Sequence, residues 1–274
     1  MSTNYSSPVS ELLTFGDCRD FRGWPDYPGL VGLGPEHVSE LIRMATDEDL
    51  NWAAPESLEV WAPVHAWRAL GQLRATVASE PLLELFQEVE EGNDWAGDEL
   101  PEVYGMIGRA AIPALERYLA DASHELWACV TAAHSLERIA AGDPSARIKC
   151  VAILSRQLEK FPQSDPILNG FLINYLIALG AVGMAPLMER AFAADSVDLL
   201  IVGDWEDVQV ELGLKTSRET PRPYYFALGH PTSDEPEHDE PGRYASETSN
   251  SDKVAKKAKR KQSKASRKKN RKRK

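Results

Sequence analysis

Between residues 34 and 213 the apolar positions fall into helical rows separated by short breaks, and the breaks recur. An aliphatic residue followed by a small one stands at Leu33-Gly34, Leu70-Gly71, Ile107-Gly108, Ile139-Ala140, Leu179-Gly180 and Leu212-Gly213, spaced 37, 37, 32, 40 and 33 residues apart. A period in this range marks stacked helical hairpins. A proline follows each of the first five breaks (Pro35, Pro81, Pro113, Pro144, Pro186) and opens an apolar pattern of helical spacing, such as Val38, Leu41, Ile42 and Ala45. Proline suits a first helical turn, where its missing N–H has no intrahelical partner, so five helix starts are predicted. A second helix is expected in each unit at about 58–70, 98–107, 124–140, 166–179 and 198–212. Each closes at the small residue, where glycine suits the left-handed position after a helix.

The echo is plainest between IGRAAIPALERYLAD, residues 107–121, and LGAVGMAPLMERAFAAD, residues 179–195. No hairpin of this kind can hide its apolar stripe alone, so neighbours must stack. The expected fold is therefore all-α: an α-solenoid of about five antiparallel helix pairs spanning residues 35–214. Residues 1–34, with Trp24, Tyr27 and Pro28, are expected to cap one end. Residues 215–252, rich in Pro, Ser and acids, read as a linker whose Tyr224-Tyr225-Phe226 cluster is placed to fold back on the last pair. The stretch Ile167 to Met188 carries no charge over 22 residues, long enough to cross a bilayer. Asn169, Asn174, three glycines and Pro186, and its alignment with charged units elsewhere, assign it to the repeat array instead.

These units resemble HEAT repeats, and in particular the HEAT-like repeats named after phycobilisome bilin lyases, over about residues 34–213. The resemblance implies scaffolding and partner binding in most members, bilin handling in some, and di-iron hydroxylation in the deoxyhypusine hydroxylases. The hydroxylases imply repeated His-Glu dipeptides, and this chain has only His124-Glu125.

Six residues before each closing small residue stand His65, Glu102, His134, Asn174 and Asp207. Stacking sets equivalent positions in a row at about 8–10 Å per helix, forming a polar ladder along the second helices. Such a ladder hydrogen-bonds across neighbouring helices or reads a ligand. His65 and His134 lie two units apart, about 16–20 Å, whereas ligands of one metal sit near 2 Å from it, so no metal is expected. A second set occupies the turns within pairs: Trp52 with Glu56, Trp95 with Asp98 and Glu99, Trp205 with Asp207, and more loosely Trp127. Acids there cap helix N-termini, while rings interleaved with carboxylates also suit a cationic protein partner.

The chain lacks the G-x-S-x-G, P-loop and G-x-G-x-x-G motifs, so neither an enzyme nor a cofactor is expected. Cys18, Cys129 and Cys150 form no C-x-x-C pair, and Cys129 and Cys150 fall at core spacing. With no secretory signal in MSTNYSSPVSELLTF, a reducing, cytoplasmic setting is expected.

Charge splits the chain in two. Residues 253–274 hold 14 Lys or Arg and no acid, leaving 17 against all 42 Asp and Glu in residues 1–252. That tail is expected to be disordered, with Lys256, Lys257, Lys259, Arg260, Lys261, Arg267, Lys268, Lys269, Arg271, Lys272 and Arg273 contacting nucleic acid, ribosome or another polyanion through phosphate charge. The sequence thus points to a non-enzymatic scaffold or adaptor that binds a protein partner through the repeats. The alternative implied by the resemblance is a bilin lyase-like chaperone, which requires a groove for a tetrapyrrole with Glu102 or Asp207 beside it.

Overall fold

Pro35 opens a short 3-10 turn, Pro35–His37, that runs into helix α2, Val38–Ala45. In the computed structural model, which describes residues 4–222, every regular element among the described residues is a helix or a 3-10 turn. The helices are α1 (Tyr27–Val31), α2, α3 (Glu48–Asn51), α4 (Ala62–Gln72), α5 (Leu85–Glu91), α6 (Asp94–Ile107), α7 (Ile112–Ala120), α8 (Leu126–Gly142), α9 (Arg147–Leu158), α10 (Pro166–Ala178), α11 (Ala185–Ala193), α12 (Leu199–Val202) and α13 (Trp205–Glu211). Residues up to Lys160 form one compact unit and those from Phe161 a second.

In the first unit, α2 packs on α4, α5 on α6 and α7 on α8, while α4, α6 and α8 lie side by side in that order. Every residue of α4 from Ala62 to Gly71 is buried. Small residues let these helices approach closely. A Cβ on Gly71 would meet the Val103 backbone at 3.3 Å, and one on Gly105 would meet the Arg138 Cβ at 3.2 Å. Gly71 therefore sits inside α4 rather than after it, correcting the expected left-handed closure, and Gly34 is extended at φ −133°. The closures at Gly108, Gly180 and Gly213 do take positive φ, at 81°, 57° and 73°.

The N-terminal segment covers α4: α1 and the turn Val9–Thr14 both pack against it. Tyr27 and Gln72 lock the contact reciprocally, the Tyr27 N–H donating to Gln72 Oε1 (2.9 Å) and Gln72 Nε2 donating to the Pro25 carbonyl (2.7 Å).

In the second unit α10 packs on α12 and α11 on α13. The uncharged stretch from Ile167 is split between α10 and α11, and no helix among the described residues is long and apolar enough to cross a membrane. The expected helix over 198–212 is broken. Gly203 adopts φ +83°, and Asp204 restarts the helix as a cap, its carboxylate accepting from the Asp207 N–H (3.0 Å). Pro144 lies in a turn ahead of α9 rather than in its first turn. Cys18, Cys129 and Cys150 are buried free thiols.

Candidate tryptophan groove

Two turns of the first unit, about 40 residues apart in sequence, build one open groove of about 440 Å³. Asp47 caps α3 by accepting from the Leu50 N–H (3.3 Å), and Trp52 caps its C-terminal end. The chain continues through Pro55 to the 3-10 turn Glu59–Trp61 that leads into α4. From the next pair, Gly92 at φ +110° ends α5 and turns the chain so that Asn93 caps α6, accepting from the Ala96 N–H (3.3 Å). That places Trp95 on the first turn of α6. Asn51, Trp52, Trp61, Asn93, Asp94 and Trp95 line the groove, over buried Trp67. Trp61 and Trp95 meet edge to face, centroids 5.1 Å apart. Trp52 is 45 % exposed, which marks a large apolar side chain presented to the outside.

Among the described residues that line the groove, none is Lys or Arg. Residues 44–67 and 75–108 carry five and nine Asp or Glu and not one Lys or Arg. One guanidinium reaches it from elsewhere: Arg19 stands over the Trp61 ring at 5.2 Å, its Nε donating to Asp17 at 2.9 Å.

The sequence-predicted turn residues separate into different environments. Trp52 and Trp95 line the groove, and Glu56 and Asp98 are exposed. Glu99 is buried and clamped by Arg68 through two bonds, Nε–Oε2 2.8 Å and Nη2–Oε1 2.6 Å, so it faces no partner. Trp127 is also buried, with its backbone N–H bonded to the Glu90 carboxylate. Trp205 leans on Phe192 at 5.7 Å. Trp61 was absent from the expected set, although its place immediately before the second helix, beside Glu59, is a legible sign.

Within the first unit, His65 and Glu102 find partners outside the expected ladder. His65 is fully buried under the N-terminal segment, its Nδ1 on the Tyr27 hydroxyl (2.7 Å) and its Nε2 on the Gly16 carbonyl (2.8 Å). Since a carbonyl only accepts, Nε2 carries the hydrogen and Nδ1 accepts from Tyr27. Glu102 is half-buried and bridges to Arg138 on α8, Nε–Oε1 and Nη2–Oε2 both 2.8 Å, four residues beyond the expected partner row. His134 lies one turn from Glu137, with 3.9 Å between Nε2 and Oε2, and burial with help from Arg138 pushes its imidazole down to about 4. Asn174 is half-buried on α10.

Burial also depresses the His65 imidazole below its ordinary value of 6.5. The unfolded chain therefore binds a proton first as pH falls, and the stability tied to neutral His65 is complete above pH about 6.5 and declines below it. The midpoint of thermal unfolding is expected to drop between pH 7.5 and 5, and to drop less in His65→Gln. An equal drop in both proteins would contradict this placement of His65.

Asp207 belongs to a different construction. Residues 215–222, within the expected linker, pack back on the N-terminus of α13. Arg218 grips Asp204 with two bonds of 2.7 Å and Asp207 with one of 2.7 Å, while Lys215 reaches Glu206 at 3.1 Å and Arg222 reaches Asp207 at 3.4 Å. The Thr220 hydroxyl and the N–H groups of Glu219 and Thr220 also bond Glu206, holding its carboxyl down to about 2. This acidic turn is thus occupied by the chain's own cations. Neither Glu102 nor Asp207 lines the tryptophan groove; Glu102 lines a separate trough of about 310 Å³ with Met106 and Arg138.

Among the described residues no cluster of three or more His, Cys, Asp or Glu is arranged to hold a metal ion. The tail residues Lys256 to Arg273 lie outside the described residues. No known protein family, curated protein or solved structure matches this chain.

Proposed function

We propose that this chain is a non-enzymatic adaptor of the HEAT-like type, whose helical repeats bind a cationic segment of a protein partner in the tryptophan groove. The observation that carries the reading is the groove itself: three tryptophans around a trough whose two parent stretches contain no Lys or Arg. Tryptophan rings supply contact area at low entropic cost, and the acidic stretches that build the groove favour a cation. The order α4, α6, α8, each with a partner helix, supports the solenoid reading. The basic residues 253–274 serve as a second contact, to nucleic acid or another polyanion, through counterion release.

The test is a titration of the full chain with a fluorescently labelled basic peptide at low salt. Binding is expected to weaken about tenfold or more in Trp52→Ala/Trp95→Ala, two stacking contacts together removing at least 1.4 kcal/mol. An undiminished affinity in the double variant would contradict the reading. Adding RNA is expected to leave the groove occupied while engaging the tail, and tail binding should fall steeply with salt.

A further inference from the structure

Four tryptophans line the groove, and three of their indole N–H groups are unengaged. Trp67 Nε1, at the floor, donates to the Ala45 carbonyl at 2.9 Å, but among the described residues those of Trp52, Trp61 and Trp95 have no acceptor. The polar groups beside them are committed to the chain itself. Asn51 Nδ2 donates to the Ala45 and Asp47 carbonyls, both at 3.2 Å. Asn93 Nδ2 donates to Glu88 at 2.8 Å while its Oδ1 caps α6, and Asp94 is engaged within the chain as well. The groove therefore presents a ligand with flat rings, indole donors and the apolar sides of Pro55, Val60 and Val64.

A polyproline II segment is the backbone that matches this surface. It makes no internal hydrogen bonds, so its carbonyls are free to accept, and each proline brings a carbonyl without an N–H that the groove would have to satisfy. Its stiff form docks on aromatic-lined grooves with little loss of entropy. A helical ligand would arrive with its backbone already paired. An added strand needs a sheet edge, and every regular element among the described residues is a helix or a 3-10 turn. Charge decides the flanks. Glu48, Asp49, Glu56 and Glu59 are exposed in the turns that carry Trp52 and Trp61, and none of them pairs with a Lys or Arg among the described residues.

We infer that the groove's ligand is a proline-rich segment of a protein partner in the polyproline II form, its prolines on Trp52 and Trp95 and its Lys or Arg residues in the flanks, toward the exposed acids of those turns. This rests on the reading of the groove as a site for a cationic segment and adds the backbone form that segment takes. Arg19, 5.2 Å over the Trp61 ring, already covers that indole, which leaves Trp52 and Trp95 to stack.

The experiment titrates two synthetic peptides into the full-length protein at the same salt. Both carry the same basic flanks; the core is proline-rich in one, and alanine replaces each core proline in the other. Equal charge and a shared protein cancel any competition from the chain's own basic tail. The proline peptide is expected to bind about tenfold more tightly, the equivalent of about 1.4 kcal/mol. Trp52→Ala should bring that ratio towards one, and because Trp52 is 45 % exposed its truncation removes the ring without opening the core. Trp52→Phe, which keeps a ring and loses the N–H, should fall between. Equal affinity for the two peptides, or a ratio unchanged in Trp52→Ala, would overturn the polyproline assignment while leaving a cation-binding groove. Binding by neither peptide would overturn the assignment and the groove's function together.

Discussion

Glu99→Ala is expected to lower the stability of the first unit by about 3–5 kcal/mol, the cost of leaving a buried guanidinium without its counter-charge. Arg68 is 5 % exposed and Glu99 9 %. Their two hydrogen bonds of 2.8 and 2.6 Å hold α4 to α6, with Trp24 of the N-terminal segment over the guanidinium. Removing the carboxylate strands a charge in a site with little water, and the relaxation that would rescue it must lift Trp24 away. Replacing both partners by apolar residues, as in Arg68→Met/Glu99→Leu, is expected to be far milder, because no charge is then left behind. Urea unfolding followed by tryptophan emission measures both. A Glu99→Ala midpoint equal to that of the parent would show that the pair is not buried as described.

Trp67→Ala carries the second large effect, about 3–5 kcal/mol from the cavity left by a fully buried indole. The ring is 1 % exposed, and its Nε1 donates to the Ala45 carbonyl at 2.9 Å, joining α4 to the end of α2. That carbonyl also accepts from Asn51 Nδ2 at 3.2 Å, so truncation does not orphan it and the loss is mainly one of lining contacts. Trp67 is also the floor of the groove, and the variant is expected to lose peptide binding along with stability. Trp67→Phe should fall between, near 1–2 kcal/mol, since it keeps most of the volume and loses the hydrogen bond. Thermal unfolding and peptide titration on the same samples separate the two consequences. A stable Trp67→Ala protein with intact binding would place the indole elsewhere.

Much of the helix order was legible because proline and small residues punctuate an apolar pattern of period near 3.6. The breaks at Gly108 and Gly180 landed on true helix ends, while Gly71 deceived. Its role is to admit the Val103 backbone, a contact between residues about 30 positions apart that no local pattern encodes. The last pair was misjudged for a related reason: Gly203 inside an apolar run looks like a tolerated helical glycine, yet it takes positive φ and divides α12 from α13.

The candidate site was half legible. Trp52 and Trp95 stood out as aromatics among acids, but that they face one groove depends on how α3 and α6 are placed by packing. Glu99 looked like its acidic neighbours; only Arg68, 31 residues earlier, makes it a buried partner. The ladder likewise assumed that identical repeat positions meet. Glu102 instead finds Arg138 rather than His134, because helices packed side by side offer neighbours displaced by about one turn. At the other end, the acidic, proline-rich composition after residue 214 is that of a linker, yet Lys215, Arg218 and Arg222 are spaced to meet Glu206, Asp204 and Asp207.

A cationic segment bound in the groove formed by Trp52, Trp61 and Trp95 would be felt directly by those rings. The chain has seven tryptophans, and each indole N–H gives its own signal in a nitrogen–proton correlation spectrum. On addition of an arginine-bearing peptide to the full-length protein, the signals of Trp52, Trp61 and Trp95 are expected to move together and saturate. Those of Trp24, Trp127 and Trp205 should stay in place. Movement confined to Trp127 or Trp205, or a spectrum untouched by the peptide, would contradict the claim.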